Sequence, residues 1–230
     1  MQSEYCSIAQ KTWDSIAESF DITRQKPWEY CLNFIHTLRS DDIVADLGCG
    51  NGRHLFPCAD QCSHAIGVDV SQRFLHIIKR KRSITGQGNI TLIHADVVHL
   101  PIVDSSVDAV LFIASLHNIQ GRDHRQAALK EVGRVLTPQG TALISVWSRW
   151  QEKYRRFFLK QFINRDHDFG DINIYWRQQN LNIPRFYHLY SRGEFLQDLH
   201  AASFTIQTLE SVRIHSKRFP DNFFAVVKKA

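Results

Sequence analysis

The sequence of 230 residues has no apolar run that approaches the ~18 residues needed to cross a membrane. It also has no linker rich in glycine, serine or proline, no repeat and no low-complexity tract, so one domain over residues 1–230 is expected. Its first residues lack the basic and apolar regions of a secretory signal. The five cysteines are scattered and odd in number, which favours reduced thiols in a cytoplasmic protein over a disulfide framework.

Two of the cysteines lie near histidines, in the order His54, Cys58, Cys62 and His64, which could be written as a metal site. Structural zinc usually shows close ligand pairs, such as two cysteines separated by two residues, and none occurs here. Pro57 and the apolar run that follows would also place the four side chains on different elements. We therefore expect no metal and interpret Cys58 and Cys62 as packing residues.

Short apolar segments alternate with helical patterns, which predicts an α/β fold with a parallel sheet covered by helices on both faces. Strands are expected at residues 43–47, 65–69, 90–94, 109–114 and 141–146, with a closing antiparallel pair at 204–215 and 223–227. Helices are expected at residues 16–38, 74–82, 123–135 and 194–201, and a turn at 137–140. The closing pair completes a sheet of seven strands, and residues 1–40 form an N-terminal helical segment.

The first predicted strand runs directly into a loop with three alternating glycines, Gly48, Gly50 and Gly52. Because glycine has no Cβ, such a backbone can turn sharply and approach a ligand closely. A dinucleotide loop would need its third glycine at the position that Arg53 occupies. Asp69 ends the next strand about 20 residues on, where an acid can hydrogen-bond a ribose. The pattern predicts a nucleoside cofactor other than a dinucleotide; a structural turn, with Asp69 as a helix cap, is the alternative.

This loop, preceded by Asp46, resembles motif I of the class I S-adenosylmethionine-dependent methyltransferases. The resemblance implies a Rossmann-like sheet and S-adenosylmethionine as the cofactor. Asp46 would face the ammonium group of its methionine part, Asp69 the ribose, and Asp96 the adenine. The cofactor-binding residues expected on this basis are Asp46, Gly48, Cys49, Gly50, Gly52, Asp69, Val70, Asp96 and Val97.

Residues 147–190, inserted after the fifth strand, contain twelve of the 26 aromatic residues and eight Lys or Arg against four acids. Aromatic faces interleaved with cations suit bases and phosphates, and a net charge of +5 favours a polyanion. The alternative is a helical lid in which Phe157, Phe158 and Phe162 bury themselves. The cations expected near the substrate mouth are Arg149, Lys153, Arg156, Arg192 and Arg213, whereas the basic run at residues 79–82 is interpreted as a solvated helix face.

Three segments carry a more specific resemblance: TRQKPW at residues 23–28, GDINIYW at 170–176 and RFYHLY at 185–190. They resemble signatures of the tRNA wobble-uridine carboxymethyl methyltransferases, which include the methyltransferase half of AlkB-homologue fusions. The resemblance implies esterification of 5-carboxymethyluridine in the tRNA anticodon loop. It departs from the family at Asn118, where members tend to carry histidine, and at Tyr175, where a proline is common.

The resemblance also implies a protein partner, a small zinc-binding activator subunit that adds a strand at residues 90–94. These residues are expected at an apolar sheet edge, which proteins normally cover or blunt. The alternative is that the chain itself covers this edge.

The expected acceptor needs little activation, since a carboxylate with a pKa near 4 is already ionised at neutral pH. The enzyme must position it, and arginine is the best clamp because its fork binds both oxygens. The candidate catalytic residues are Arg24, His117, Tyr175, Arg185 and His188.

Each candidate also has a structural interpretation. Arg24 could pair with Asp21 or Glu29 on a helix, His117 could cap the following helix, and His188 could be a core residue. Two alternative functions also stay open. The chain could methylate a small molecule beneath an aromatic lid, or it could be a non-catalytic subunit that binds cofactor or tRNA.

Overall fold

The computed structural model describes residues 4–161 and 169–229 of the chain. Phe162 and the neighbouring part of the predicted insertion, residues 162–168, lie outside the described residues. The helices are α1 (Glu4–Thr23), α2 (Glu29–Ile35), α3 (Leu55–Gln61), α4 (Gln72–Thr85), α5 (Arg122–Val135), α6 (Arg155–Gln161) and α7 (Arg192–Ala201), with a 3-10 turn at Leu116–Asn118. The strands are β1 (Ile43–Leu47), β2 (His64–Asp69), β3 (Ile90–His94), β4 (Val107–Ile113), β5 (Leu136–Trp147), β6 (Asp171–Trp176), β7 (Ile183–His188), β8 (Phe204–Val212) and β9 (Asn222–Lys229).

Seven strands form one sheet in the order β3-β2-β1-β4-β5-β9-β8. Strands β1 to β5 pair in parallel, whereas β9 runs antiparallel to both β5 and β8. One face of the sheet packs against α5 and α7 through residues such as Leu129 and Leu199. The other face packs against α2 and α4 through residues such as Ile35 and Ile78. The predicted seven-stranded α/β sheet with helices on both faces is confirmed.

The strand order reverses at β1, because β2 pairs on one side of it and β4 on the other. In open α/β sheets, ligands bind at the carboxyl ends of the strands beside such a reversal. The chain segments that follow Leu47, Asp69, His94 and Ile113 all leave the sheet at this edge. The topology therefore brings four separate segments of the sequence to one place.

The predicted N-terminal helix is wrong in its bounds. The helical chain begins at Glu4 and is interrupted between α1 and α2, around Pro27. Proline has no backbone N–H and disfavours helical geometry in the residue before it, which explains the break. Helix α1 packs Ala17 against Phe74 and Ile77 of α4, so it lies over the carboxyl edge of the sheet. None of the helices in the described ranges is long and apolar enough to span a bilayer.

Strand β5 begins earlier than predicted, and the expected turn at residues 137–140 lies within its bounds. Its pairing with β4 explains the difference. Leu136 pairs with Val107 and Thr141 with Ala109, so the register shifts between these two pairs. The irregularity accommodates Pro138, which cannot donate to a strand ladder.

The insertion is partly the expected lid. Helix α6 buries Phe158, while Phe157 stays 41% exposed. The following residues form a two-stranded antiparallel hairpin of β6 and β7, which the sequence analysis did not predict. Asp171 pairs with His188 at its base and Trp176 with Ile183 at its tip.

Candidate functional site

A cavity of about 1390 Å³ opens at the carboxyl edge of the sheet. One side, here the loop wall, is formed at the carboxyl ends of β1, β2 and β3 and consists of Asp46, Gly48, Cys49, Gly50, Asp69, Val70, Asp96 and Val97. The facing side, here the hairpin wall, consists of Trp13, Arg24, His117, Trp147, Trp176, Arg185 and Tyr187. Eleven of the fourteen predicted site residues lie on these two walls.

The loop wall begins with glycines in the left-handed region, Gly48 at φ 67° and Gly50 at φ 54°. A Cβ on Gly48 would lie 2.7 Å from the Cβ of Ser115, so no larger residue fits there without displacing that side chain. The N–H groups of Gly48 and Cys49 both donate to the Val68 carbonyl, at 2.8 and 3.0 Å. These bonds fix the loop against β2 and leave its open side toward the cavity.

Asp46 carries an unusual buried carboxyl at the floor of the loop wall. Its Oδ2 has no hydrogen-bond partner, although the side chain is only 2% exposed. Burial and, to a lesser extent, the nearby Asp69 raise the pKa of Asp46 to about 7, against the opposing effect of Arg53. A buried carboxylate without a partner is costly, so this atom fits a cationic ligand group such as an ammonium.

Asp69 is held by the backbone at both oxygens. Its Oδ2 accepts from Gly50 N–H and its Oδ1 from Ser71 N–H, each at 2.8 Å. Burial raises the pKa of Asp69 to about 6, and these two bonds oppose the shift. The cap of α4 is Ser71, whose Oγ accepts from Phe74 N–H. Asp69 is therefore not the cap and remains aimed at the cavity that it lines.

The third acid of the loop wall, Asp96, follows β3. Its Oδ1 accepts from Val98 N–H at 3.1 Å, which forms a tight turn. Val70 and Val97 line the cavity on either side. Apolar contacts flanked by one carboxylate are a suitable environment for a purine ring with an exocyclic amino group.

The hairpin wall is centred on a buried cation. The Arg185 guanidinium carbon lies 5.6, 4.9 and 5.1 Å from the ring centroids of Trp13, Trp176 and Tyr187. Its Nε has no hydrogen-bond partner, and the residue is 7% exposed. Aromatic faces stabilise a desolvated guanidinium but do not neutralise it. Within the described residues Arg185 forms no ion pair, so it presents a positive charge and a planar fork to the cavity.

His117 lies beside Arg185 and is a neutral donor. Its Nδ1 accepts from the Trp147 N–H at 3.1 Å, so its proton is on Nε2, an atom with no partner. Burial and, to a lesser extent, the nearby His188 and Arg185 lower the pKa of His117 to about 3. The ring stacks on Tyr187 and lies tilted against Trp147, and it does not cap α5.

Arg24 follows α1 and completes this side of the cavity. Its guanidinium carbon lies 5.6 Å from the Trp176 ring centroid, and its Nη1 donates to the Thr23 carbonyl. Asp21, a possible partner considered from the sequence, instead binds Lys81 and Asn51. Arg24 is therefore available to a ligand at the cavity.

Comparison with known proteins agrees with this geometry. A family model described as a methyltransferase domain matches residues 44–140. A protein of Encephalitozoon cuniculi, named provisionally as a methyltransferase, is 33% identical over 80% of this chain and 81% of its own length. The chain is a methyltransferase of this family.

Two further matches extend the comparison. The tRNA (carboxymethyluridine(34)-5-O)-methyltransferase ALKBH8 of Macaca fascicularis is 33% identical over 70% of this chain, which spans only 23% of that relative's length. A solved complex of the Haloferax volcanii Trm112 methyltransferase activator with a methyltransferase matches with a TM-score of 0.68 and 16% identity, over 96% of each chain. At that identity the likeness shows the methyltransferase fold alone.

Three predicted site residues of this methyltransferase do not line the cavity. Gly52, at φ 82°, lies where a Cβ would meet Ile78 and Phe56, so its role is in packing. Tyr175 is 46% exposed and contacts the exposed Arg177. Successive strand side chains point to opposite faces, so Tyr175 faces away because its neighbour Trp176 faces inward.

His188 is separated from the cavity by the same alternation. Arg185 and Tyr187 share one face of β7, and His188 takes the other. Its two ring nitrogens bind Asp171 at 2.6 Å and Glu194 at 2.7 Å. His188 is thus a buried structural residue, as the alternative interpretation proposed.

The four side chains that were considered as zinc ligands have other roles. His54 Nε2 accepts from Trp28 N–H, and His64 binds Thr91. Cys58 and Cys62 are buried in the core, at and beside α3, a helix that tolerates Pro57 in its first turn. The described residues contain no group of three or more side chains that could hold a metal ion.

The aromatic residues that surround Arg185 were not predicted from the sequence. Trp13 lies on the part of α1 that was not predicted, and Tyr187 was treated only as part of a signature. A signal was present, since a period of two along residues 185–188 places Tyr187 beside Arg185.

Proposed function

We propose that this methyltransferase uses S-adenosylmethionine to esterify the carboxylate of 5-carboxymethyluridine at the wobble position of tRNA. One observation carries the proposal: the buried Arg185, whose Nε has no hydrogen-bond partner, faces the same cavity as the Asp46 carboxyl, whose Oδ2 has none. A cation on the hairpin wall suits an anionic acceptor. The printed name of the macaque relative supports the identity of that acceptor.

The loop wall fits the cofactor by its chemistry. Asp46 would hold the ammonium group, Asp69 the ribose hydroxyls and Asp96 the adenine amino group. When bound, S-adenosylmethionine supplies a methyl group activated by its sulfonium. The remaining task of the chain is to place an acceptor oxygen in line with that methyl group, and such positioning is worth up to ~7–11 kcal/mol.

The hairpin wall would do this positioning. A carboxylate is ionised at neutral pH, so no general base has to be found among the residues that line the cavity. The Arg185 fork and the His117 Nε2–H would bind the oxygen that does not attack. The neutral state of His117 matters here, because a second full positive charge would make the attacking oxygen less nucleophilic.

The test is incubation of the protein with radiolabelled S-adenosylmethionine and unfractionated tRNA, followed by nucleoside analysis. We expect label in a methyl ester of carboxymethyluridine, which mild alkali releases as methanol. Label that resists alkali would contradict an ester product. Transfer only to small carboxylic acids would favour the small-molecule alternative, and cofactor binding without transfer to any acceptor would favour the non-catalytic one.

We also propose that a small zinc-binding activator subunit pairs with β3. Among the described strands, β3 forms one edge of the sheet and pairs with β2 alone. Leu92 and Ile93 are only partly buried there. The Haloferax complex shows a methyltransferase of this fold assembled with an activator, which supports the proposal. We expect co-expression with such a subunit to raise transfer activity; an isolated chain that is monomeric and fully active would contradict it.

We further propose that the protein works in the cytoplasm. All five cysteines are buried thiols that form no disulfide, a state that a reducing compartment maintains. Fractionation of cells that express a tagged chain tests this proposal, and recovery in a secreted or organellar fraction would contradict it.

A further inference from the structure

Positively charged side chains other than the site residues also line the mouth of the cavity. Five cations line it: Lys26 on the segment between α1 and α2, Lys153 and Arg155 at the start of α6, and Lys217 and Arg218 between β8 and β9. None of the five forms an ion pair with a carboxylate of the described residues. Unpaired cations grouped around one opening create a strong positive electrostatic potential that attracts anions.

The acids near this mouth bind backbone groups. Glu152 accepts from the N–H groups of Lys217 and Arg218, at 3.1 and 2.5 Å. Asp221 accepts from three successive N–H groups, at residues 214–216. The two carboxylates therefore hold the loop between β8 and β9 in place and join it to residues 151–155. Their geometry fixes the backbone that presents Lys217 and Arg218.

Aromatic residues accompany these cations. The Arg155 guanidinium carbon lies 4.6 Å from the Phe219 ring centroid, and Lys153 Nζ lies 5.2 Å from that of Tyr154. Phe219 is itself 36% exposed. A partly exposed aromatic ring beside a planar guanidinium is a surface on which bases stack.

Other cations of the protein are less suitable for binding an anion at this mouth. They include four of the five cations that were predicted near it. Arg149 is buried and paired with Glu194. Arg192 and Arg213 donate to backbone carbonyls, and Arg156 does not line the cavity. The basic run on α4 is largely occupied as well, since Arg80, Lys81 and Arg82 bind Glu18, Asp21 and the Ile90 carbonyl.

We propose that residues 151–155 and 215–219 form a rim that binds the phosphates of single-stranded RNA on either side of the base in the cavity. The inference rests on the proposed function for the identity of the base. Cations alone would also suit a membrane or an acidic protein. The stacking surface and the deep cavity between the cations favour RNA with a base turned out of its stack.

The experiment measures binding of a fluorescent anticodon stem-loop RNA at several salt concentrations. The rim variant is Lys217→Glu with Arg218→Glu. The matched control is Lys79→Glu with Lys130→Glu, which changes the net charge equally at two exposed helical lysines outside the cavity lining. We expect the rim variant to bind at least about tenfold more weakly. Its slope of log Kd against log salt should be shallower by about 1.4, or ~0.7 for each lost phosphate contact.

Further measurements separate the possible failures. Cofactor affinity and thermal stability of the rim variant should match the unmodified protein, and Lys217→Arg with Arg218→Lys should restore RNA binding. Equal weakening in the rim and control variants would overturn the proposal, as would equally tight binding of anionic vesicles. If the proposed function is wrong, the unmodified protein will not methylate the free nucleoside. The rim variant should retain whatever activity the unmodified protein shows toward that nucleoside.

Discussion

The two walls of the cavity are built in different ways. The loop wall comes from the last residues of β1 and β2 and from the short segments after β1, β2 and β3, so each residue is fixed by an adjoining strand. The hairpin wall joins residues from α1, the 3-10 turn and β7, which are far apart in the sequence. The first wall is a property of the sheet, whereas the second depends on tertiary contacts that only the complete fold supplies.

The walls also differ in charge. The loop wall holds a buried acid, Asp46, whose Oδ2 has no hydrogen-bond partner, and the hairpin wall holds a buried cation, Arg185, whose Nε has none. Each would be costly in a structure that served stability alone. A cofactor with an ammonium group and an acceptor with a carboxylate group would together give both side chains a partner of opposite charge.

The largest effect is expected on the hairpin wall. Arg185→Ala should lower methyl transfer by roughly 10³-fold, since loss of a buried charged contact costs about 3–5 kcal/mol. Cofactor affinity should stay unchanged, because the loop wall is intact. The matched control is Arg177→Ala on the same hairpin, where the side chain is exposed beside Tyr175. Single-turnover kinetics and cofactor titration measure the two quantities; equal losses in both variants would contradict a role for Arg185 in binding the acceptor.

The next effect concerns the loop wall. Gly48→Ala should weaken cofactor binding by roughly 100-fold or more, because the new Cβ meets Ser115 and the loop must move. Gly86→Ala is a matched control: Gly86 has a similar φ of 74° at the end of α4, but a Cβ there meets nothing within 4 Å. It should cost only the ~1–2 kcal/mol of left-handed strain and leave cofactor affinity unchanged. Calorimetric titration with S-adenosylhomocysteine distinguishes the two outcomes.

A third prediction uses the titration of Asp46. Because burial raises its pKa to about 7, the carboxyl is largely protonated below that pH and must ionise to bind an ammonium. Affinity for S-adenosylhomocysteine should therefore fall up to about tenfold per pH unit below about pH 7, with Asp69 contributing below its own pKa of about 6. Asp46→Asn should bind weakly at all pH values and lose most of this dependence. A similar slope in Asp46→Asn would assign the titration elsewhere.

The difference between the walls also explains what the sequence could predict. The bounds of β1 and β3 agree with the expected residues 43–47 and 90–94, because short apolar runs next to turn residues determine them locally. The acids and glycines then follow at the strand ends, so eight of nine expected cofactor residues line the cavity.

The hairpin could not be predicted in the same way. Its strands pair Asp171 with His188 across the loop at residues 177–182, so the hairpin depends on contacts between two separate segments of the sequence. Without the pairing, Tyr175 and His188 looked equivalent to Arg185, whereas the strand geometry separates them. The cation Arg149 was misjudged for a similar reason, since its partner Glu194 belongs to α7.

The smallest expected effect tests what holds the hairpin wall in place. Asp171 on β6 and Glu194 on α7 bind both nitrogens of His188, so the folded protein favours the imidazolium. Arg149, which pairs with Glu194, and the more distant Arg125 are the cations that face this cluster. Burial alone would lower the pKa of His188, but the two carboxylates raise it above its ordinary value.

Because the folded pKa exceeds the unfolded value, this stabilisation is complete below about pH 6.5 and is lost as the pH rises through the folded pKa. His188→Gln should lower the melting temperature at about pH 6 by a few degrees, remove most of its alkaline decline and reduce transfer a few-fold by loosening Arg185. His200→Gln, at an exposed position on α7, should change none of these. An alkaline decline of equal size in His188→Gln would show that the position of the hairpin wall depends on other groups, and that Arg185 is held by its aromatic neighbours alone.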